Sequence, residues 1–486
     1  MNVALVYAPW AYDRGRRMEQ PYIGFAYMAS VLRNAHHNVQ IIDGQLGRFS
    51  TKVDDVVKKI VEIKPDLIGI SCTSNDRFTA IEIINTIKTI LPDALIAAGG
   101  PHFTYTAKDA LENIPGLDVV VIGEGEYTML ELVACFENKG DLKNVNGIAF
   151  TSRDGEYIET EKRPLADLNN LPMGAWDLFE IDRYNGPMSA ESRTRAIGIS
   201  SGRGCPFSCA FCSNSLNKIV RYKEPVLFVD EVEYLYKKYG WTAFNFQDDT
   251  FALKASHTVA ICEELLKRNL KIKWYCSPRV TVVTRELLEL MKRAGCVALG
   301  FGIESGTDEV LKNIHKGQTT EQVRNAIKIV GEVGIENVVL FKIIGLPGET
   351  LDTIDRSIKF YEELAGYLPK NKSRGETSIG QLPVIYPKTE LESIAIRNGN
   401  CLPKGFSWNK PYSYPKADVF GVAPVVPHFE NPDLPVDVIH TYLTRKHFKI
   451  RLRNLFYHLK TMRTLKEYKM LFHAGVRHTK SLFKRI

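Results

Sequence analysis

The sequence predicts an α/β protein: an N-terminal doubly wound parallel sheet, then a partial (β/α)6 barrel, then a basic helical tail. Three observations predict it. Short apolar runs alternate with stretches of helical periodicity along two separate segments of the chain. Apolar residues make up 44% and charged residues 24% of the 486 residues, enough for a full core and two or three domains. No apolar run approaches the roughly 18 residues that a membrane span needs. A cytoplasmic chain is expected.

The start, MNVALVYAPW, has no basic leader or small-residue cleavage site and reads as a first strand. VALVYA, VQIID, LIGIS, LIAAG and VVVIG are the five strands of the first sheet, with helical patterns such as Phe25 to Arg33 and Asp76 to Leu91 between them. Ligands of such sheets sit at the carboxyl ends of the strands. There the chain places Pro9, Ser71, Thr73, Gly99, Gly100, His102 and the turn Gly123-Glu124-Gly125-Glu126. Glycines at these points admit a large flat or phosphorylated ligand, and they suit the tight turns of any such sheet equally well.

NGIAFTSRDGEYIET predicts a hairpin around Asp154-Gly155, and residues 161–192, with Pro164, Pro172 and Pro187, predict a linker. The second series predicts strands at 197–201, 242–247, 272–277, 297–303, 336–344 and 378–386. Helices are predicted at 226–239, 255–268, 284–294, within 307–333 and at 350–364. In such barrels chemistry collects at the carboxyl ends of the strands. The expected divisions are 1–145 for the first domain, 146–192 for hairpin and linker, 193–400 for the barrel and 401–486 for the C-terminal region.

The sequence holds nine cysteines, and three of them fall in Gly204-Cys205-Pro206-Phe207-Ser208-Cys209-Ala210-Phe211-Cys212, after the first barrel strand. In a cytosolic chain such a cluster points to metal or redox chemistry rather than disulfides. A structural zinc would want a fourth ligand nearby, yet the next candidates, His257 and Cys262, lie a strand–helix unit away. A [4Fe–4S] cubane held by three thiolates instead leaves one iron open.

At these residues the chain resembles the radical S-adenosylmethionine (radical SAM) superfamily. The resemblance implies that Cys205, Cys209 and Cys212 hold the cluster and that its open iron chelates S-adenosylmethionine. It also implies a 5′-deoxyadenosyl radical that abstracts hydrogen from an unactivated position. Phe211 matches the aromatic beside the adenine, and Asp248 and Asp249, closing the second barrel strand, match contacts to the methionyl amino group. Glu304 and Ser305 match contacts to the ribose. Gly345 and Pro347, in Ile344-Gly345-Leu346-Pro347-Gly348-Glu349-Thr350, match the adenine side, and Tyr386 matches the last contact. Arg279 and Cys276, after the third barrel strand, have two readings: they face the barrel mouth, or, the favoured expectation, they are a surface arginine and a packed thiol.

The first domain resembles the Rossmann-like cobalamin-binding domain of the cobalamin-dependent radical SAM subgroup. That implies cobalamin at the strand ends, with Pro9, Ser71, Thr73, Gly99, Gly100, His102, Gly123, Glu124, Gly125 and Glu126 as candidate contacts. No Asp-x-His-x-x-Gly occurs in this segment, so no histidine is expected on cobalt.

Net charge is +7, but it is uneven: between Val438 and Ile486 thirteen Lys and Arg face one acid, Glu467. Phe448, Leu452, Leu455, Phe456, Leu459 and Met462 fall at helical spacing among these cations. Two readings stand: a terminal helix packed on the barrel, or a helix that meets an anionic membrane surface or an acidic partner. No nucleic acid is expected as partner.

The expected function is a cobalamin-dependent methyltransferase acting on an unactivated carbon of a small-molecule or lipid substrate, with a reductant such as flavodoxin or ferredoxin. The alternative is an oxidative or ring-forming enzyme resembling the anaerobic magnesium-porphyrin cyclase. A non-catalytic electron carrier or sensor is the third reading. Methylthiotransfer to tRNA would need a second three-cysteine cluster, and residues 1–150 offer only Cys72 and Cys135.

Overall fold

Every residue of the strand Leu67–Ser71 is buried, whereas Asn38–Asp43 alternates between buried and exposed. That contrast places the first at the centre of a sheet and the second at its edge. A computed structural model describes residues 1–11, 19–47, 52–188, 194–213, 218–369, 380–399, 401–417 and 425–445. Its first sheet holds β1 (Asn2–Tyr7), β2 (Asn38–Asp43), β3 (Leu67–Ser71), β4 (Leu95–Gly99), β5 (Val119–Val121), β6 (Ile148–Thr151) and β7 (Tyr157–Glu159). The order is β2-β1-β3-β4-β5-β6-β7, with β1 to β5 parallel and the last two antiparallel. Between the parallel strands run α1 (Ile23–Asn34), α2 (Val53–Ile63), α3 (Arg77–Ile90) and α4 (Gly100–Asn113), and α5 (Glu126–Glu137) follows β5. The hairpin turns at Gly155, whose φ of 81° suits glycine. It extends this sheet.

The second series begins with β8 (Ile197–Ile199), β9 (Gly202–Arg203), β10 (Arg221–Tyr222), α6 (Pro225–Tyr239), β11 (Ala243–Phe251) and α7 (Ala255–Lys267). It continues with β12 (Lys273–Pro278), α8 (Arg285–Arg293), β13 (Cys296–Glu304), α9 (Asp308–Asn313) and α10 (Thr320–Val333). β14 (Asn337–Lys342), α11 (Leu351–Tyr367) and α12 (Glu390–Asn398) complete it. Five parallel strands follow the order β14-β13-β12-β11-β8, and β9 with β10 forms a separate antiparallel clasp. The expected sixth strand at 378–386 is, among the described residues, a parallel bridge from Ile343 to Gln381 and an antiparallel one from Val384 to His428. The helical stretch 307–333 splits in two. Thr319 caps α10 in a reciprocal capping box with Gln322, which starts a new helix there.

The expected linker is packed rather than loose. Trp176 and Tyr184 are fully buried in one apolar cluster with residues of both sheets. Glu231 on α6 is buried at this junction, where it meets Lys223 Nζ at 2.8 Å, Tyr27 Oη at 2.9 Å, Trp176 Nε1 at 2.8 Å and the Gly174 amide at 3.0 Å.

Residues Met1–Asp433 form one compact unit and Leu434–Ile486 a second. The expected basic helix from Phe448 to Met462 lies outside the described residues. Among the described residues no helix is long and apolar enough to cross a membrane.

Candidate functional site

On each barrel strand one face packs against the helices, and the alternate residues look inward. Phe246, Trp274, Cys276, Leu299, Phe301 and Leu340 join the apolar cluster. The opposite face carries Gly198, Gln247, Tyr275, Ser277, Gly300, Gly302 and Phe341. The glycines make room for polar side chains lying across the barrel. A Cβ on Gly198 would stand 2.7 Å from Gln20 Oε1, and one on Gly302 would stand 2.7 Å from Lys316 Nζ. One on Gly300 would collide with the Tyr275 hydroxyl, which bonds Ser277 Oγ at 2.8 Å. Burial pushes the Tyr275 phenol up to about 12, so it stays protonated. Sequence reasoning missed this inner lining, because the glycines that expose it look like ordinary strand residues until register is known.

The cysteine loop leaves β8 at the barrel mouth, and Cys205, Cys209 and Cys212 are each partly exposed. Three consecutive residues of β11 fasten the chain that leads into it. Asp248 Oδ1 accepts from the Ser201 amide at 2.6 Å and from Ser200 Oγ at 3.1 Å, and its Oδ2 accepts from Ser201 Oγ at 2.6 Å. Burial pushes the Asp248 carboxyl up to about 6, against these hydrogen bonds. Asp249 Oδ2 accepts from the Gly204 amide at 2.7 Å, and Thr250 Oγ1 lies 3.3 Å from Cys205 Sγ. Asp248 thus accepts from one backbone amide and two serine hydroxyls of the chain leading to the loop, whereas Asp249 is exposed.

Phe211 packs with Ala210, Leu311, Ile314 and Leu346, and Lys316 Nζ stands 5.6 Å from its ring centre. The same ammonium pairs with Glu304 at 2.8 Å, and Glu304 takes a φ of 66° at the strand end. Ser305 is fully buried and bonds Thr307 and Ser357 at 3.3 and 3.2 Å, so its hydroxyl faces α11 rather than the mouth. The loop holding Gly345 and Pro347 is stitched by Glu349, which accepts from the Gly345 and Leu346 amides at 2.5 and 3.3 Å. Burial pushes this carboxyl up to about 7, against both amides. The Tyr386 carbonyl accepts from Thr389 Oγ1, the N-cap of α12, at 2.7 Å.

Arg279 is no simple surface arginine. Its guanidinium stacks 3.7 Å from the Phe207 ring centre, donates to the Lys316 carbonyl and reaches within 4.0 Å of Cys209 Sγ. Cys276 is fully buried, as expected of a packed thiol. Among the described residues no three His, Cys, Asp or Glu side chains converge at the spacing of a single metal ion. Three cysteines with an exposed mouth beside them fit a cubane, which takes its thiolates at separate corners.

The carboxyl edge of the first sheet meets this loop. Tyr105 on α4 donates to the Ser213 carbonyl at 3.1 Å. Glu126 pairs with Arg203 at 2.7 Å, and Glu124 pairs with Arg203 at 3.4 Å and also with Arg221. Burial raises the Glu124 carboxyl, but the two arginines outweigh it and hold it below the usual range. His102 is fully buried, with Nδ1 3.0 Å from Ser74 Oγ and Nε2 3.2 Å from Asn409 Oδ1. Burial, then the nearby Arg77, pushes its pKa down to about 3. Both ring nitrogens are occupied.

The Pro9 carbonyl accepts from Thr79 at 2.6 Å, and Thr73 Oγ1 donates to Asp76 at 2.7 Å. A Cβ on Gly100 would collide with the buried Ser71 Oγ, one on Gly99 would rest 3.4 Å from Val121, and one on Gly125 would stand 2.6 Å from Met28 Cε. Gly123, with a φ of 81°, has nothing within 4 Å of a Cβ position. The open space at Gly123 leaves room for a large flat ligand at this edge, and among the described residues the His102 ring is turned to Ser74 and Asn409.

The profile described as Radical SAM superfamily matches residues 199–361, and that of the B12 binding domain matches residues 16–133. An uncharacterized methyltransferase of Pyrococcus horikoshii is 32% identical over 395 residues, covering 80% of this chain and 81% of that one. The chain belongs to the cobalamin-dependent radical SAM family. Its relatives include an anaerobic magnesium-protoporphyrin IX monomethyl ester cyclase of Rubrivivax gelatinosus, 31% identical over 69% of this chain and 60% of the cyclase. The fold is that of a cobalamin-dependent S-adenosylmethionine radical enzyme, OxsB, with a TM-score of 0.72 at 20% identity, over 99% of this chain and 71% of OxsB. Members of this radical SAM family are enzymes whose cofactors are a [4Fe–4S] cluster, S-adenosylmethionine and cobalamin. They use small-molecule substrates and a reductant.

Proposed function

We propose that this radical SAM enzyme transfers a methyl group to an unactivated carbon of a small-molecule or lipid substrate in the cytoplasm, reduced by a flavodoxin or ferredoxin. The observation that carries this reading is the meeting of the sheet's carboxyl edge with the cysteine loop, through Tyr105 and the Glu124–Arg203–Arg221 cluster. That meeting supports a reading in which two cofactor sites share one mouth. When bound, the cluster and cobalamin supply reductive cleavage of S-adenosylmethionine and a methyl carrier.

In this reading Cys205, Cys209 and Cys212 hold the cluster, and Asp248 and Asp249 keep their loop in place. Asp249 keeps its second oxygen toward the methionyl ammonium, Glu304 with Lys316 orients the ribose, and Phe211 and the Gly345–Pro347 backbone bound the adenine. Tyr386 closes that side. Ser305 supports α11 behind the ribose. Gly99, Gly100, Gly123 and Gly125 let the strand ends approach the corrinoid, with Pro9, Ser71 and Thr73 shaping the rim. Gln20, Gln247, Tyr275 and Phe341 line the space for the substrate. The functional divisions are 1–145, 146–192, 193–400 and 401–486.

The test is anaerobic reconstitution with iron, sulfide and cobalamin, then product analysis with methyl-labelled S-adenosylmethionine and candidate acceptors. Label in the acceptor supports methyl transfer. An unlabelled, oxidised or cyclised product with 5′-deoxyadenosine would favour the cyclase-like reading instead.

A further inference from the structure

We propose that Thr250 and Arg279 are positioning residues for the cluster: they donate to the sulfurs of Cys205 and Cys209 and set the potential at which it accepts an electron. The inference rests on the reading that these cysteines hold the cluster.

Thr250 is 7% exposed, and its hydroxyl has one proton and two acceptors in reach. One is Cys205 Sγ at 3.3 Å and the other is the Asp249 carbonyl at 2.8 Å. A thiolate on iron is the more negative acceptor, so the proton turns to sulfur when the cluster is in place. The strand fixes the donor's position. Asp248 and Asp249, the two residues before it, anchor Ser201 and Gly204, so donor and acceptor are both set from β11. Arg279 reaches the second cysteine from the other side. Its plane rests 3.7 Å from the centre of Phe207, between the first two cysteines in sequence, and its Nη1 lies 4.0 Å from Cys209 Sγ. Among the described residues its buried Nε has no hydrogen-bond partner, and stacking on Phe207, together with the Lys316 carbonyl, holds the cation there.

An electron added to the cluster spreads negative charge onto the thiolate sulfurs. A hydroxyl donor and a fixed cation stabilise that reduced state more than the oxidised one, and hydrogen bonds to sulfur are a known control on cluster potential. The partly buried setting strengthens both effects relative to water. Removing either group should make the cluster harder to reduce.

The test is a redox titration of the reconstituted full chain, followed by the electron paramagnetic resonance signal of the reduced cluster, with iron and sulfide counted in each sample. Thr250→Val should keep full iron and lower the midpoint potential, Thr250→Ser should restore it, and Arg279→Gln should lower it further. Should Thr250→Val fail to assemble a cluster, Arg279→Gln decides alone. Full iron with an unchanged midpoint would overturn the inference. A native chain that binds no cluster would instead overturn the proposed function, so the two failures are distinguishable.

Discussion

At the carboxyl edge of the first sheet, Arg77 and His102 are fully buried, and Asp76 and Gln45 are nearly so. On the inner face of the barrel, Gln247 is exposed and Phe341 is 43% exposed. Both regions are the strand ends and inner faces of parallel sheets, where ligands usually bind. The difference is in how the polar groups are used. Around β3 and β4 most are paired within the protein: Gln45 to the Ala8 carbonyl, Arg77 to the Trp408 carbonyl and His102 to Asn409, although Arg77 Nη2 is buried with no partner among the described residues. In the barrel, glycines hold backbone back, and the polar side chains, though Tyr275 meets Ser277 and Gln247 meets Gln20, stand beside open space. The comparison teaches that a titratable residue at a strand end is not thereby a ligand. What matters is whether its hydrogen-bonding capacity is already spent.

The sharpest way to break the barrel half of this comparison is at its mouth. Changing Cys205, Cys209 or Cys212 to Ala should abolish the cluster, read as iron content and visible absorbance, while the other six cysteines prove individually dispensable. Full iron in any of the three variants would remove the site. A smaller but still large effect is expected where the halves join. Glu231→Ala strands the Lys223 ammonium in a buried setting and should cost about 3–5 kcal/mol, read as a lower urea midpoint.

Asp248→Ala sharpens the comparison within the barrel itself. Its charge-assisted hydrogen bonds are worth about 1.5–3 kcal/mol each, and they hold the cysteine loop. Iron content should therefore fall in this variant, whereas Glu304→Ala should retain iron and weaken S-adenosylmethionine binding by roughly tenfold or more. Equal iron in both, measured beside equilibrium dialysis of the cosubstrate, would show that Asp248 contacts the cosubstrate instead of the loop.

On the sheet side, His102→Ala should cost about 1–3 kcal/mol by unpairing Ser74 and Asn409, and it should leave the cobalt spectrum of bound corrinoid unchanged. An imidazole signature lost in that variant would refute the reading. The folded pKa is pushed down to about 3 from an ordinary 6.5, so the unfolded chain binds the extra proton between those values. Native stability should therefore rise with pH across that window, and the histidine's share of the slope should vanish in the variant. The smallest effect is expected at Phe341→Ala. A side chain 43% exposed should change stability by no more than about 0.5 kcal/mol, yet product formation should fall because the inner lining is altered.

The succession of strands and helices along the chain, the parallel pairing and the three-cysteine motif were legible in the sequence, because each depends on local periodicity or on spacing along the chain. Some helices were placed to within a residue, as with Pro225–Tyr239 against an expected 226–239, whereas the expected 350–364 runs on to Tyr367 and the stretch 307–333 is two helices. Contacts between residues far apart in sequence were not legible, and they decided the roles. His102 meets Asn409 across 307 positions, Tyr27 meets Glu231 across 204, and Glu124 meets Arg221 across 97. Residue type placed Glu124, Glu126, Asp248 and Ser305 at strand ends, where their chemistry suits a cofactor. Only tertiary packing decided that Glu126 faces Arg203, that Asp248 holds Ser201 and that Ser305 turns toward Ser357. The reason is physical: a buried polar group must be satisfied by whatever the fold brings within reach, and reach across the chain is set by packing, not by sequence order.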